Sequence, residues 1–140
     1  MSHPILAALA VVVHEEHVLL VRRRNPPDAG LWGYPGGKVD YGEAVLSAAE
    51  RELLEETGVS AQASVVLDGL DVIGLDDNGQ VVHHYFLAAV LCAYKSGDPV
   101  ANDDADEARW VPIAEVLGGA LSMSKDVDRV LRLALAVAKE

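Results

Sequence analysis

Three glutamates crowd one face of a predicted helix, and no other feature constrains the chain as much. Residues 43 to 57 are predicted to form this helix, in which Glu52, Glu55 and Glu56 fall within an arc of roughly 100°. Carboxylates at this spacing repel each other, and near a helix C-terminus they also meet the negative end of the helix dipole. A bound divalent cation would turn this repulsion into attraction. The pattern therefore predicts a metal site.

The two ends of the helix also have recognisable signals. Asp40 and Glu43 have the spacing of an N-terminal capping box, and Gly58 is suited to a left-handed C-terminal cap. Arg51 lies one turn before Glu55, so we expect an ion pair between them. The residues predicted to face the core are Val45, Ala48, Ala49 and Leu53.

Composition limits both the size of the fold and the kind of partner. The chain has 140 residues, 51% of them hydrophobic, which predicts a single globular domain over residues 1–140. Its net charge of −11 argues against a nucleic-acid polymer or an anionic membrane as partner. A small phosphate-bearing ligand stays compatible with this charge if a metal ion supplies positive charge locally.

Two further observations concern location. Cys92 is the single cysteine and cannot form an intramolecular disulfide, which favours a reducing, cytoplasmic location. The apolar run from Ile5 to Val13 is too short to span a bilayer and is predicted to be the first strand.

Arg22, Arg23 and Arg24 form the one concentrated positive patch, at the end of a predicted strand. They either balance nearby acids or contact a phosphate or base. The following segment, residues 25 to 37, is predicted to be a loop because of its Pro and Gly content. In it we expect Trp32 to pack on the core, whereas Tyr34 either packs on the core or stacks on a nucleobase.

The second half of the chain offers further candidates. A predicted loop over residues 95 to 107 contains the acids Asp103, Asp104, Asp106 and Glu107, so it is a candidate source of one more carboxylate at the metal. The C-terminal helix is predicted to start near Ser124, as its N-cap, and to run to about Ala138 as a packing helix.

The spacing of these residues forms a longer pattern. It consists of Gly37, five residues, Glu43, seven residues, and then Arg51-Glu52-Leu53-x-Glu55-Glu56-x-Gly58-Val59. This pattern resembles the signature of the Nudix hydrolase family at every specified position. The resemblance implies an α/β fold, an α/β/α sandwich in which a mixed, curved sheet lies between the signature helix and the C-terminal helix.

The same resemblance implies the chemistry. Nudix hydrolases cleave a nucleoside diphosphate linked to another group X, so the resemblance implies an enzyme that acts on a small nucleotide. The metal ligands implied at matching positions are Glu52, Glu55, Glu56 and the main-chain carbonyl of Gly36. Oxygen-only ligands select Mg²⁺ or Mn²⁺ over zinc.

Other site residues also follow from the resemblance. Glu43 and Arg51 would orient the acidic side chains in the catalytic site. Arg23 and Lys38 match positions that touch base or phosphate in some relatives. Glu52 is one candidate for the general base; an acid of the second loop, Glu107 first and Asp104 next, is the other.

The local sequence is similar to the small ADP-ribose and nucleotide-sugar hydrolases, although the extra proline that marks some ADP-ribose enzymes is missing. The alternative is a house-cleaning nucleoside triphosphate pyrophosphatase that removes oxidised or non-standard nucleotides. A third reading, a nucleotide-sensing domain without catalysis, is disfavoured because all signature carboxylates are present. Many relatives form dimers, so the resemblance leaves both a monomer and a homodimer open.

Overall fold

The computed structural model describes residues 3–26, 28–102 and 104–138. In chain order the elements are β1 Ile5–His14, β2 His17–Arg23, β3 Trp32–Gly33, β4 Gly36–Lys38, α1 Val45–Thr57, β5 Ser60–Leu75, β6 Val81–Ser96, β7 Ala105–Pro112, α2 Ile113–Leu117 and α3 Val127–Ala138. None of the helices in the described ranges has the length and apolar character needed to span a bilayer.

The strands form one mixed sheet centred on β1. Along the sheet the order is β3-β2-β1-β6-β5, with β4 paired to β1 and β7 paired to β2. β1 runs parallel to β6 but antiparallel to β2 and β4. Because β4 pairs with residues 7–9 of β1, the glycines Gly36 and Gly37 lie in the sheet opposite Leu9 and Ala8.

The position of Gly36 requires a residue without a side chain. A Cβ atom at Gly36 would lie 2.1 Å from the main-chain oxygen of Ala8, which is far inside van der Waals contact. The Gly36-Gly37 pair therefore lets β4 lie directly against β1, and this places the main chain of β4 beneath the acidic end of α1.

Each face of the sheet has its own hydrophobic core, because successive strand residues point to opposite faces. On one face, Ala8, Ala10 and Val12 of β1 pack with buried residues of α1, including Leu53. On the other face, Val11 packs in a core with Trp32 and with buried residues of α3. The α/β/α sandwich implied by the resemblance is confirmed.

The predicted start of α1 is wrong. The helix begins at Val45, and its N-cap, Ala44, makes no side-chain capping bond. Glu43 Oε1 does accept a bond from the Asp40 main-chain N–H at 3.0 Å, as in a capping box, but this contact closes a turn before the helix. Gly42 in that turn has a φ of +87°. The predicted C-cap is right, since Gly58 is left-handed with φ +77°.

Three other predicted boundaries differ from the structure. The Pro- and Gly-rich loop contains the short strands β3 and β4, and the acidic loop ends at Ala105, so that Glu107 lies within β7. The C-terminal helix begins at Val127 and not after Ser124. The main-chain N–H of Ser124 donates to the Trp32 carbonyl at 2.9 Å, so Ser124 belongs to the contact with β3.

Two neighbouring leucines of α1 test the core beneath this helix. Leu53 is fully buried, whereas Leu54 is 54% exposed. Leu53→Ala should lower the free energy of unfolding by about 2–5 kcal/mol, because it leaves a cavity between helix and sheet. Leu54→Ala, which changes the same atoms on the outer face, should change it by less than about 0.5 kcal/mol. Urea denaturation followed by circular dichroism measures both, and equal effects would contradict the packing described.

Candidate active site

The acidic end of α1 lies where two cavities meet. A large cleft of about 710 Å³ runs between β4, α1, the β5–β6 hairpin and the segment before α3. A smaller cavity of about 150 Å³ is lined by Glu52, Glu55, Glu56, Asn102 and Asp104. Glu52, Glu56 and Asp104 line both spaces. A ligand in the large cleft can therefore reach the carboxylates.

Arg51 holds the acidic side chains in place. Its Nε and Nη2 atoms donate to the Glu43 carboxylate at 2.7 and 2.8 Å, and Nη1 donates to Glu52 at 2.9 Å and to Glu55 at 3.1 Å. Nη2 also donates to the Lys38 carbonyl at 3.1 Å, which joins α1 to β4. These bonds confirm the predicted Arg51–Glu55 contact, and the Arg51 guanidinium lowers the pKa of Glu43 to about 2.

Glu56 differs from Glu52 and Glu55 because its carboxylate bonds to a main-chain N–H of β4, whereas those two bond to Arg51. Its Oε2 accepts a hydrogen bond from the Gly36 main-chain N–H at 3.1 Å. Burial raises the pKa of Glu56 to about 7; the Gly36 N–H and Arg23 oppose this rise, while the charges of Glu52 and Asp104 add to it. Near neutral pH this carboxyl is therefore poised between its acid and its anion, and nearby positive charge would favour the anion.

The donor set fits a hard divalent cation. Glutamate and aspartate oxygens line the smaller cavity, and these are the atoms that Mg²⁺ and Mn²⁺ prefer. A Cβ atom at Gly37 would fall 2.4 Å from Glu52 Oε1, so the glycine backbone leaves the space that this carboxylate occupies.

The carboxylates are not yet gathered around one point. Within the described residues, no three His, Cys, Asp or Glu side chains are close enough to share one ion. Arg51 holds Glu52 and Glu55 on one side, and Glu56 is turned to the Gly36 N–H on the other. Binding one ion through all three glutamates therefore requires side-chain rotation.

The predicted substrate-binding residues Arg23, Lys38 and Tyr34 all line the large cleft. Arg23 and Lys38 bring positive charge to its rim. The Tyr34 side chain is buried, and its hydroxyl donates to the Val127 carbonyl at 2.6 Å. Tyr34 thus forms part of the cleft wall with its polar atom already bonded. Trp32 packs in the core, as predicted.

The structure separates the two acids considered from the second loop. Asp104 lines both cavities. Glu107 lies in β7 opposite Arg22, 3.7 Å from the Arg109 guanidinium, and it lines neither cavity. Their positions therefore reverse the order of preference, with Asp104 ahead of Glu107 as a candidate base.

Some cleft residues were not predicted from sequence. The far wall consists of side chains from β5, β6 and the segment before α3: Leu70, Val72, Tyr85, Leu87, Ser124, Lys125 and Asp126. The apolar pattern of β5 and β6 indicates strands, but it does not show that part of one face is left uncovered by α3. Asn102 has no sequence signal of its own and is found only because its loop folds against α1.

Comparison with known proteins decides the family. The model of the NUDIX domain matches residues 3–133. The chain belongs to the Nudix family. This Nudix protein is 33% identical to the ADP-ribose pyrophosphatase of Methanocaldococcus jannaschii over 130 residues, which cover 93% of the chain and 75% of that relative.

Solved structures agree. The MutT NUDIX hydrolase from Burkholderia pseudomallei superimposes with a TM-score of 0.77 at 27% identity, covering 94% of this chain and 98% of that one. The NUDIX domain of Shewanella oneidensis NrtR, solved with ADP ribose, gives a TM-score of 0.76 at 25% identity, covering 99% and 90% of the two chains. The Nudix protein is therefore a pyrophosphohydrolase that acts on phosphoric anhydride bonds of a nucleotide, in a family that uses divalent cations.

The raised pKa of Glu56 predicts a pH-dependent stability in the absence of metal. Because the folded protein binds this proton more tightly than the unfolded chain does, stability should fall as pH rises from about 4.5 through about 7. The glutamine in Glu56→Gln cannot ionise, so this variant should not lose stability in this way. Between acid and alkaline pH, its free energy of unfolding should therefore rise by roughly 3 kcal/mol relative to that of the wild type. Urea titrations in EDTA from pH 4.5 to 8.5 measure this. Parallel stability curves for the two proteins would show that Glu56 ionises normally.

Proposed function

We propose that this Nudix hydrolase cleaves ADP-ribose or a related nucleotide sugar with Mg²⁺ or Mn²⁺. The observation that supports this most directly is the shared wall: Glu52, Glu56 and Asp104 line both the small acidic cavity and the large cleft. The Methanocaldococcus jannaschii relative is an ADP-ribose pyrophosphatase, and the NrtR domain was solved with ADP ribose. Both support the same substrate class for this chain.

In this proposal each part of the chain has one task. Glu52, Glu55, Glu56 and the Gly36 carbonyl hold the cations, and Arg51 orients Glu52 and Glu55 through its bonds to both. When bound, the cations neutralise the pyrophosphate oxygens and lower the pKa of the attacking water. Arg23 and Lys38, at the rim of the cleft, bind phosphate or base, and Tyr34 lines the wall of the cleft near the nucleotide.

A carboxylate must also accept a proton from the attacking water. The Glu52 carboxylate already accepts a hydrogen bond from Arg51 Nη1 at 2.9 Å. Asp104 lines the same space, with no side-chain bond among the contacts described. We therefore propose Asp104 as the general base ahead of Glu107, with Glu52 as the alternative.

A substrate panel with Mg²⁺ tests the proposal. It covers ADP-ribose, other nucleoside diphosphate sugars, dinucleotides, and normal and oxidised triphosphates, with products separated by chromatography. ADP-ribose should give AMP and ribose 5-phosphate. Preferential conversion of an oxidised triphosphate to monophosphate and pyrophosphate would establish the house-cleaning alternative instead.

Glutamine replacements test the carboxylates. Glu52→Gln and Glu56→Gln should each lower kcat/KM by at least roughly a hundredfold, because each removes a metal ligand or base. Glu115→Gln, at an exposed glutamate of α2, is the matched control and should leave the rate unchanged. Full activity of both signature variants would mean that hydrolysis does not use this acidic face.

Metal binding can also be detected without substrate. Millimolar Mg²⁺ should raise the Tm of the wild type more than that of a Glu52→Gln/Glu56→Gln double variant, because the cation relieves repulsion that the double variant lacks. Differential scanning fluorimetry with and without Mg²⁺ measures the two shifts. Equal shifts would argue against a cation site on α1.

We further propose that residues 1–140 act as one catalytic domain in the cytoplasm and that the chain forms a homodimer. Apolar side chains exposed on the β5–β6 hairpin, together with the place of β5 at one end of the sheet order, support self-association. They are Ile73, Leu75, Val81, Val82 and Phe86.

A further inference from the structure

Residues 97 to 102, which follow β6, fold back over the C-terminal end of α1. Among the described residues, three hydrogen bonds attach this segment there. The Val100 main-chain N–H donates to the Thr57 carbonyl at 2.9 Å, and the Asn102 main-chain N–H donates to the Glu56 carbonyl at 3.1 Å. The third bond comes from a side chain, since Asn102 Nδ2 donates to the Glu55 carbonyl at 2.6 Å.

These bonds address a general weakness of helix ends. The last carbonyls of a helix have no partner within the helix and form the negative end of its dipole. The last turn of α1 contains no basic residue, and it also presents the Glu55 and Glu56 side chains. Asn102 supplies two N–H donors to the carbonyls of these same two residues, so it attaches its own loop to the turn of α1 that carries the acidic side chains.

The same loop brings in Asp104, two residues further on. The Ala105 main-chain N–H donates to the Asn102 carbonyl at 3.0 Å, and the Asp104 carbonyl accepts a bond from the Arg24 main-chain N–H at 3.3 Å. Asp104 is thus fixed on one side to α1, through Asn102, and on the other to the end of β2. Its side chain lines the small cavity together with Asn102.

We propose that Asn102 is a positioning residue for hydrolysis: by bonding to the Glu55 and Glu56 carbonyls it holds Asp104 at the carboxylate cluster. This inference rests on the proposed function of that cluster. Asn102 acts through Asp104 and not on the substrate. The bond from its Nδ2 to the Glu55 carbonyl explains why an asparagine, which has a side-chain N–H donor, stands at this position. An aspartate at this position would turn an oxygen towards the Glu55 carbonyl and add negative charge to a site that already has an excess.

A double-mutant cycle tests this proposal. Asn102→Ala should lower kcat about 10- to 100-fold and change KM by less than about 3-fold, because the substrate-lining walls stay intact. Asp104→Asn should have an effect at least as large. The Asn102→Ala/Asp104→Asn variant should be no slower than Asp104→Asn within about 3-fold, because the first change acts through the second. Asn102→Asp should lose more activity than Asn102→Ala.

Asn78→Ala, at an exposed asparagine in the β5–β6 turn, is the control and should match wild type. If the losses of the two single variants multiply in the double variant, Asn102 does not act through Asp104 and the proposal is overturned. If Asn102→Ala does not fold by circular dichroism, Asn102→Ser takes its place in the cycle, since its shorter side chain does not span the distance to the Glu55 carbonyl.

Mn²⁺ titration by calorimetry gives a readout without substrate. Asp104 lines the same small cavity as the three glutamates, so its negative charge favours a cation there even though it is not one of the proposed ligands. Asn102→Ala and Asp104→Asn should therefore weaken Mn²⁺ binding to a similar extent, whereas Asn78→Ala should not. Unchanged binding in Asn102→Ala, with binding weakened in Asp104→Asn, would overturn the proposal. A wild type that binds Mn²⁺ but cleaves nothing in the substrate panel would contradict the proposed function and leave the binding comparison valid.

Discussion

Mutual repulsion among the carboxylates at the end of α1 is the constraint on which the rest of the site depends. Arg51 offsets it for Glu52 and Glu55 by bonding to both, and Glu56 relieves it by taking up a proton near neutral pH. The neighbouring strand and loop contribute N–H groups, from Gly36 to the Glu56 side chain and from Asn102 to the helix carbonyls. Each of these contacts stabilises an arrangement of negative charge that the helix alone would oppose.

The local sequence was sufficient to predict which side chains lie together when all of them belong to one helix. The period of a helix places Glu52, Glu55 and Glu56 on one face and Arg51 beside Glu55, and no distant contact alters this. The family signature then extended the prediction to the fold, because its glycines and acids recur at fixed spacing. The two-sided core and the mixed sheet confirm that extension.

Prediction was weaker wherever a boundary depends on pairing between distant segments. β7 starts at Ala105 because it pairs with β2, and this pairing turns Glu107 away from the cluster and leaves Asp104 beside it. Ser124 is a suitable N-cap by type, but its main chain bonds to Trp32, 92 positions earlier in the sequence. The strands β3 and β4 form within a Pro- and Gly-rich segment because they pair with residues 21–22 of β2 and residues 7–9 of β1.

The two cavities that share Glu52 and Glu56 divide the site between different parts of the chain. The acids come from α1 and the β6–β7 loop, whereas the far wall of the large cleft comes from β5, β6 and the segment before α3. Substitutions such as Val72 or Leu87 to other residues can therefore reshape the wall without touching a charged group of the cluster. Substrate range and bond cleavage can therefore change independently during evolution. Substitutions in the wall can alter which nucleotide binds while the acidic helix stays the same.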